Sequence, residues 1–390
     1  MGLPQTAFSR GNLVMLSVTY LLYFGQLGVL VPYLGVFLDG RGFSSVEIGE
    51  LFALITVMRI LGPNLWASQA DKSGKNLRIL QIGSFLTFAS SCLVFWVDGF
   101  WGLTLVFALI MLFFTAISPQ IEVITLGCVK SNASRYNHIR LWGSIGFILL
   151  TVIAGKLIDV FSSEAPIFIS VAVLLGLFII TLGLKEVPLQ QSEDINADPI
   201  WLKVRHPVFI GFILASLLIQ VSFGPYYGFF ALYARDLGYT GQETGALIAL
   251  GVAAEVIIFI LAGRLIYSLG VKWILFASMV LTALRWYLLA QQADYLPSLI
   301  LSQFLHAFSF GLIHAASIHF IQKYFTIKFR SQGQALYVSI AFGVGGAAGN
   351  YGAGVVWQQG QGAELAFILA TLMALLAAFI IIFIPAKKMS

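Results

Sequence analysis

Charge is what this chain has least of. Only 10% of its 390 residues are Asp, Glu, Lys or Arg, against 59% hydrophobic, and the mean hydropathy is +0.92. A soluble domain draws about a quarter of its residues from the charged types, so a water-soluble globular fold is excluded. Cysteine is nearly absent: Cys92 and Cys128 form neither a disulfide framework nor a CxxC metal pair. There is no phosphate-binding Gly-x4-Gly-Lys loop, no nucleophile elbow and no zinc spacing. ATP-driven transport and enzymatic catalysis therefore have no support, and the expectation is a non-enzyme with no catalytic residue, no metal and no cofactor. The net charge of +5 comes from Lys and Arg dispersed among loops, which is no nucleic-acid footprint.

What the chain has in abundance is apolar runs of 18 or more residues. Each is long enough to cross about 30 Å of hydrocarbon, and in lipid such runs must be helices, because no water satisfies their backbone. Twelve spans are expected, at roughly 13–37, 47–67, 78–97, 101–128, 137–160, 165–184, 207–232, 242–266, 273–292, 296–323, 332–357 and 362–385. The first is too long for a signal-peptide core and no small-residue cleavage site follows it, so it reads as a retained helix. The one long polar connector divides the chain into a six-helix bundle over 1–184, a cytoplasmic linker over 185–206 and a second bundle over 207–390. Among loop cations only Arg41, Lys156 and Arg235 fall on one side of the membrane. The basic side is cytoplasmic, which puts both termini inside.

The halves repeat each other. Shifted by 196, "GFSSVEIGELFAL" lies on "GYTGQETGALIAL", carrying Gly42, Glu47 and Gly49 onto Gly238, Glu243 and Gly245, and Gly74 onto Gly270. The fold expected is all-α: twelve transmembrane helices in two six-helix pseudo-repeat bundles. Parallel repeats of this kind are a transporter architecture with its site near the bilayer midplane.

Ionisable side chains at membrane depth cost about 2.5–3.5 kcal/mol each on insertion scales, so they mark sites or fixed pairs. Glu122 and Arg140 come first: a guanidinium can grip a carboxylate, either of Glu122 or of an anionic substrate, or the two can form a static helix–helix pair. Glu255, flanked by apolar residues, can load a proton, and Arg285 can act with it or merely brace it. His306 and His314, eight residues apart, sit about 80° apart around a regular helix and can border one cavity; His319 reads as interfacial. Arg59 occupies the position that the repeat carries to Glu255. "FGPYYGFF" joins helix-bending Gly and Pro to Tyr226 and Tyr227, an aromatic wall or plain lipid-facing content. "FGVGGAAGNYGAG" reads as a close-packing surface.

The loop "ADKSGK" resembles the Asp-[Arg/Lys]-x-Gly-[Arg/Lys] loop of the major facilitator superfamily. "IRLWGSIGF", "YYGFFALYARDLGY", "GVAAEVIIFILAGRL" and "LRWYLLA" resemble the phenylpropionate permease family, a branch near the lactose permease type of proton symporter. The resemblance implies the major facilitator fold. It carries the sugar-gripping Glu and Arg onto Glu122 and Arg140, and the ring-stacking aromatic onto Phe147. It carries the coupling residues onto Glu255, Arg285 and His306, and the conformational gate loop onto Asp71, Lys72, Gly74 and Lys75. One departure stands out: the proton-carrying Glu one turn beyond the His falls on Ser309, and the Lys before it on Gln303. The implied function is proton-coupled uptake of a small organic solute, foremost an aromatic carboxylate such as 3-phenylpropionate, bound through Glu122, Arg140, Phe147, Tyr226, Tyr227 and Arg285. A sugar or nucleoside symporter is the alternative, followed by a drug-efflux pump and a non-transporting solute receptor. The expected partners are substrate, protons and membrane lipid, for a monomer in a bacterial inner membrane.

Overall fold

The computed structural model describes residues 10–129, 132–185, 201–326 and 329–389, with the backbone alone for Asn64, Ala67, Asp71, Lys72, Ala133, Trp201 and Leu202. Among the described residues there is no strand. Twelve long helical stretches follow one another: α1 Arg10–Gly40, α2 Ser45–Ser73, α3 Asn76–Phe95, α4 Phe100–Val129, α5 Ala133–Val160, α6 Ala165–Gly183, α7 Pro207–Asp236, α8 Gly241–Leu269, α9 Val271–Gln291, α10 Leu296–Tyr324, α11 over 330–357 and α12 Ala363–Phe383. Among the described residues, ten of these are long and apolar enough to cross a membrane. The other two, α2 and α11, are the ones that carry Glu47, Glu50 and Arg59 or a run of glycines.

The sequence repeat has a structural cause at the start of α2 and of α8. Gly42 and Gly238 turn the chain at φ +82° and +90°, a conformation that side chains with a Cβ rarely take. Ser44 and Thr240 then open the helices. The Ser44 N–H donates to Glu47 Oε2 at 2.8 Å and the Glu47 N–H to Ser44 Oγ at 3.3 Å. Thr240 and Glu243 make the same reciprocal pair at 2.8 and 3.2 Å. These are capping boxes, so the matched glutamates cap helix starts.

The chain divides into two compact units. One comprises Met1–Phe43, Leu54–Ser192 and Thr240–Ala246; the other comprises Ser44–Ala53, Glu193–Tyr239 and Leu247–Ser390. The expected linker over 185–206 lies mostly outside the described residues.

In the first unit α1 packs against α5 and α6, and α3 against α4 and α6. The opening turn of α8 joins this unit: Asp159 on α5 accepts the Gly241 N–H at 2.6 Å and the Gln242 N–H at 2.9 Å. A carboxylate there meets the positive end of the helix dipole. Beyond α1, Arg41 forks onto Glu164 at 2.5 and 2.9 Å and reaches Asp98 at 2.8 Å. The hydrogen bonds it donates to the Glu164 carboxylate hold the Arg41 pKa above its ordinary value.

In the second unit α12 packs against both α7 and α9. The opening turn of α2 belongs here, with the Gln359 N–H donating to Ser45 Oγ at 2.8 Å. The glycines of α11 lie at its crossings: a Cβ on Gly345 would stand 2.7 Å from the Leu217 carbonyl oxygen, and one on Gly354 2.6 Å from that of Ser45. The stripe is a packing surface, as its spacing suggests.

Several helices are interrupted. α4 turns at Thr115–Ala116, α7 at Phe223, and α10 at Leu305. Residues Ala307–Leu312 of α10 and Val338–Gly345 of α11 are π-helical. Neither π-helix is visible in the sequence, and both mark places where a regular 3.6-residue repeat misplaces side chains.

Candidate functional site

The expected residues fall into two clusters, one in each unit. In the first, Arg140 is half-buried on α5. Its guanidinium lies over the Phe24 ring of α1, 3.9 Å from the centroid, with the Tyr20 ring at 5.7 Å. Gly143, one turn on, leaves room for this stack, since a Cβ there would stand 2.7 Å from Phe24 and 2.9 Å from Arg140 Nη1. Glu122 on α4 is exposed, and its hydrogen bond among the described residues is a long contact, 3.5 Å, from the Tyr136 hydroxyl. Among the described residues Glu122 and Arg140 form no ion pair. The static pair weighed from sequence is therefore not what the structure contains: the guanidinium is held by rings and the carboxylate faces open space. Tyr136 lies within electrostatic reach of both charges.

Phe147 is half-buried two turns beyond Arg140, where α5 crosses α1; its backbone carbonyl would stand 2.5 Å from a Cβ on Gly28. Arg59 on α2 is exposed and its Nε approaches Met111 Sδ at 3.5 Å. Tyr23 stacks on Phe114 with centroids 4.5 Å apart. Sequence reasoning missed Tyr20, Phe24 and Tyr136, because nothing in a span of uniformly apolar residues marks which ring faces which cation.

In the second unit Arg285 on α9 is fully buried, at 0% exposure. Its guanidinium is held against two rings, 4.1 Å from the Tyr226 centroid and 4.4 Å from that of Trp286. None of its nitrogens, Nε, Nη1 or Nη2, makes a hydrogen bond among the described residues. Cation–π contact is worth about 2 kcal/mol when desolvated, whereas an uncompensated buried charge costs about 3–5 kcal/mol. The site is left short of an anion.

Beside it Glu255 on α8 and His306 on α10 approach at 3.4 Å, with side-chain exposures of 15% and 7%. Arg285 is within electrostatic reach of His306, yet among the described residues it forms no ion pair with Glu255, against the couple weighed from sequence. Within the π-helix Gly311 faces Glu255, whose Cγ would stand 2.9 Å from a Cβ at that position. The same segment stacks His306, Phe310 and His314 in nearly parallel order, with centroids 6.0 and 6.1 Å apart and interplanar angles of 9° and 8°. The 80° separation expected of a regular helix thus gives way to an aligned ladder. The Nδ1 atoms of both histidines are buried without a hydrogen-bond partner.

Tyr226 stacks near His306 at 6.0 Å and donates its hydroxyl to Gln303 Oε1 at 2.8 Å. Tyr227 lies over Phe223 at 5.2 Å, at the break in α7. Ser309 is buried and donates to the Leu305 carbonyl at 3.0 Å, so its hydroxyl serves the helix backbone. His319 is half-buried further along α10. Trp286, Gln303, Phe310 and Gly311 complete the cluster. Of these, Trp286 had a sequence signal as the neighbour of Arg285 in "LRWYLLA", and Gln303 as the position where the resemblance puts a Lys; Phe310 and Gly311 had none.

Of the gate loop, the side chains of Asp71 and Lys72 lie outside the described residues. Gly74 and its repeat mate Gly270 take φ +61° and +79°, each ending one helix and starting the next. Lys75 is exposed, next to a buried core of Ala70, Ile79 and Ala116 covered by Trp66. Among the described residues no group of His, Cys, Asp and Glu can hold a metal ion.

The profile of the MFS_1 like family matches residues 13–369. The chain is 29% identical, over 374 residues, to a probable 3-phenylpropionic acid transporter of Escherichia coli (strain K12), covering 94% of this chain and 96% of the relative. It is 24% identical over 334 residues to the maltose permease of Geobacillus stearothermophilus, covering 84% and 83%. Among solved structures the nucleoside transporter NupG shares the fold with a TM-score of 0.84 at 18% identity, over 95% of this chain and 98% of that one. A twelve-helix membrane fold, a chain-long family match and charged residues set within the apolar helices converge on one conclusion: the chain belongs to the MFS_1 like family of the major facilitator superfamily and is a membrane transporter.

Proposed function

We propose that the protein is a proton-coupled symporter that takes up a small aromatic carboxylate such as 3-phenylpropionate. The observation that carries this reading is Arg285: fully buried, its nitrogens unpaired, clasped by Tyr226 and Trp286. A carboxylate supplies the missing anion through two parallel hydrogen bonds, and an aryl group extends the ring stack. The relative described as a probable 3-phenylpropionic acid transporter supports the same substrate class.

Coupling rests on Glu255 and His306. A proton on either changes the charge beside Arg285, and so links substrate affinity to proton occupancy. Uptake then runs on the proton gradient with no cofactor, by alternating access, in a monomer. The distribution of the loop cations supports cytoplasmic termini, and the Escherichia coli relative supports a bacterial inner membrane.

A sugar or nucleoside substrate is the second reading, favoured by one observation. Glu122 is exposed and free of Arg140, and such a carboxylate accepts hydroxyl hydrogen bonds. A thermal-shift series with 3-phenylpropionate, neutral 3-phenylpropanol, maltose and nucleosides decides between them, because ligands of the native state raise its apparent stability. The acid should stabilise the protein and the alcohol should not. Stabilisation by maltose or a nucleoside, with none by the acid, overturns the carboxylate reading.

A further inference from the structure

A cavity of about 530 Å³ opens at the turn between α2 and α3, within the first unit. One end is cationic: Lys75 and Arg78 are exposed there beside the Ser73 hydroxyl. Among the described residues neither cation has an ion-pair partner. The rest is apolar, walled by Leu65 of α2 and Ile82 of α3, which are 58% and 42% exposed. Trp66 fixes the wall from behind by donating its indole N–H to the Leu112 carbonyl at 2.8 Å.

We propose that this groove binds an anionic glycerophospholipid, with the phosphate at Lys75 and Arg78 and an acyl chain along Leu65 and Ile82. Two features commit it to lipid rather than to a soluble anion. The first is charge complementarity: two unpaired cations at a helix start suit a phosphodiester. The second is depth. From Arg78 to Ile82 the helix rises about 6 Å at 1.5 Å per residue. The headgroup layer is about 5–8 Å thick on each side of a bilayer whose apolar core is about 30 Å of a total of about 40–45 Å. The cations therefore lie at phosphate level when Ile82 lies at the first methylenes. A soluble phosphate ester would leave the apolar wall uncovered. Gly74, at φ +61°, turns the chain so that Lys75 and Arg78 come to the same end of the groove. A lipid held there rests against the loop expected to gate the transporter.

The test is native mass spectrometry of the detergent-purified protein with dioleoylphosphatidylglycerol or dioleoylphosphatidylcholine. Phosphatidylglycerol should be retained in preference to phosphatidylcholine. Lys75→Gln with Arg78→Gln should weaken its retention about thirtyfold, from roughly fivefold per cation at an anionic lipid surface. Both side chains are exposed, so the variant should keep the wild-type melting temperature. Ile82→Gln should weaken retention of phosphatidylglycerol several-fold, and glycerol 3-phosphate at millimolar concentration should not displace it. Undiminished phosphatidylglycerol in the double variant, or in Ile82→Gln, overturns the proposal. So does full competition by glycerol 3-phosphate, which would make the groove a soluble-anion site.

Discussion

Arg140 in α5 and Arg285 in α9 are both held by aromatic faces, but only one of them is enclosed. Arg140 is half-buried over Phe24 and Tyr20, with solvent access for its remaining hydrogen bonds. Arg285 is at 0% exposure over Tyr226 and Trp286, with its nitrogens unpartnered. The acids differ as well: Glu122 is exposed and loosely held by Tyr136, whereas Glu255 stands against His306 at 3.4 Å. The same residue types thus make two kinds of site. The first cluster leaves both its cation and its acid accessible. The second encloses a cation whose nitrogens have no hydrogen-bond partner among the described residues, a deficit that an anion would relieve.

The sharpest way to break this contrast is Arg285→Met. Replacing a buried charge with an apolar side chain of similar volume often stabilises a protein, by about 1–4 kcal/mol. The variant should melt higher than wild type without ligand, yet bind an aromatic carboxylate at least about a hundredfold more weakly, since stripping a buried charge of its partner costs about 3–5 kcal/mol. Calorimetry and ligand titration read the two effects separately. A variant that melts lower would show that Arg285 braces the bundle.

Next in size is Glu255→Gln. The amide keeps the shape but cannot cycle a proton. In proteoliposomes with an imposed pH gradient, uphill accumulation should vanish while substrate exchange persists. Accumulation that survives would move the proton to His306 or into the first cluster.

The smallest effect on the carboxylate reading is expected from Glu122→Gln, where binding should stay within about threefold of wild type because the exposed acid neither holds Arg140 nor competes in the second cluster. On the sugar or nucleoside reading the same change removes a hydrogen bond to a charged group, worth about 1.5–3 kcal/mol, and affinity should fall roughly ten- to a hundredfold. Isothermal titration with the ligand identified by thermal shift distinguishes the two.

The helices were legible from hydropathy because lipid leaves the backbone no alternative. The start of α8, expected near residue 242, lies at Gly241, and the end of α12, expected near 385, at Phe383. The repeat was legible too, though Glu47 and Glu243 turned out to be capping residues. Arg285, Glu255 and His306 could be singled out because charge is conspicuous among apolar residues. Their partners could not. Phe24 is one of 33 phenylalanines, and its place over Arg140 depends on how α1 crosses α5. The approach of Glu255 to His306 depends on how α8 and α10 pack, and the π-helix that follows His306, "AFSFGL", carries no distinctive pattern.

That π-helix can also be read in the language of genes. Each residue of an α-helix turns the chain by about 100°, and a π-helical stretch carries its residues round more slowly, bonding i to i+5 instead of i to i+4. Deleting one codon between those for Ala307 and Leu312 would restore ordinary winding and shift everything after it by one place. His314 would leave the ladder and Gly311 would no longer face Glu255. A single deletion, with no change in the charged residues themselves, would thus take that glycine away from the acid it now faces.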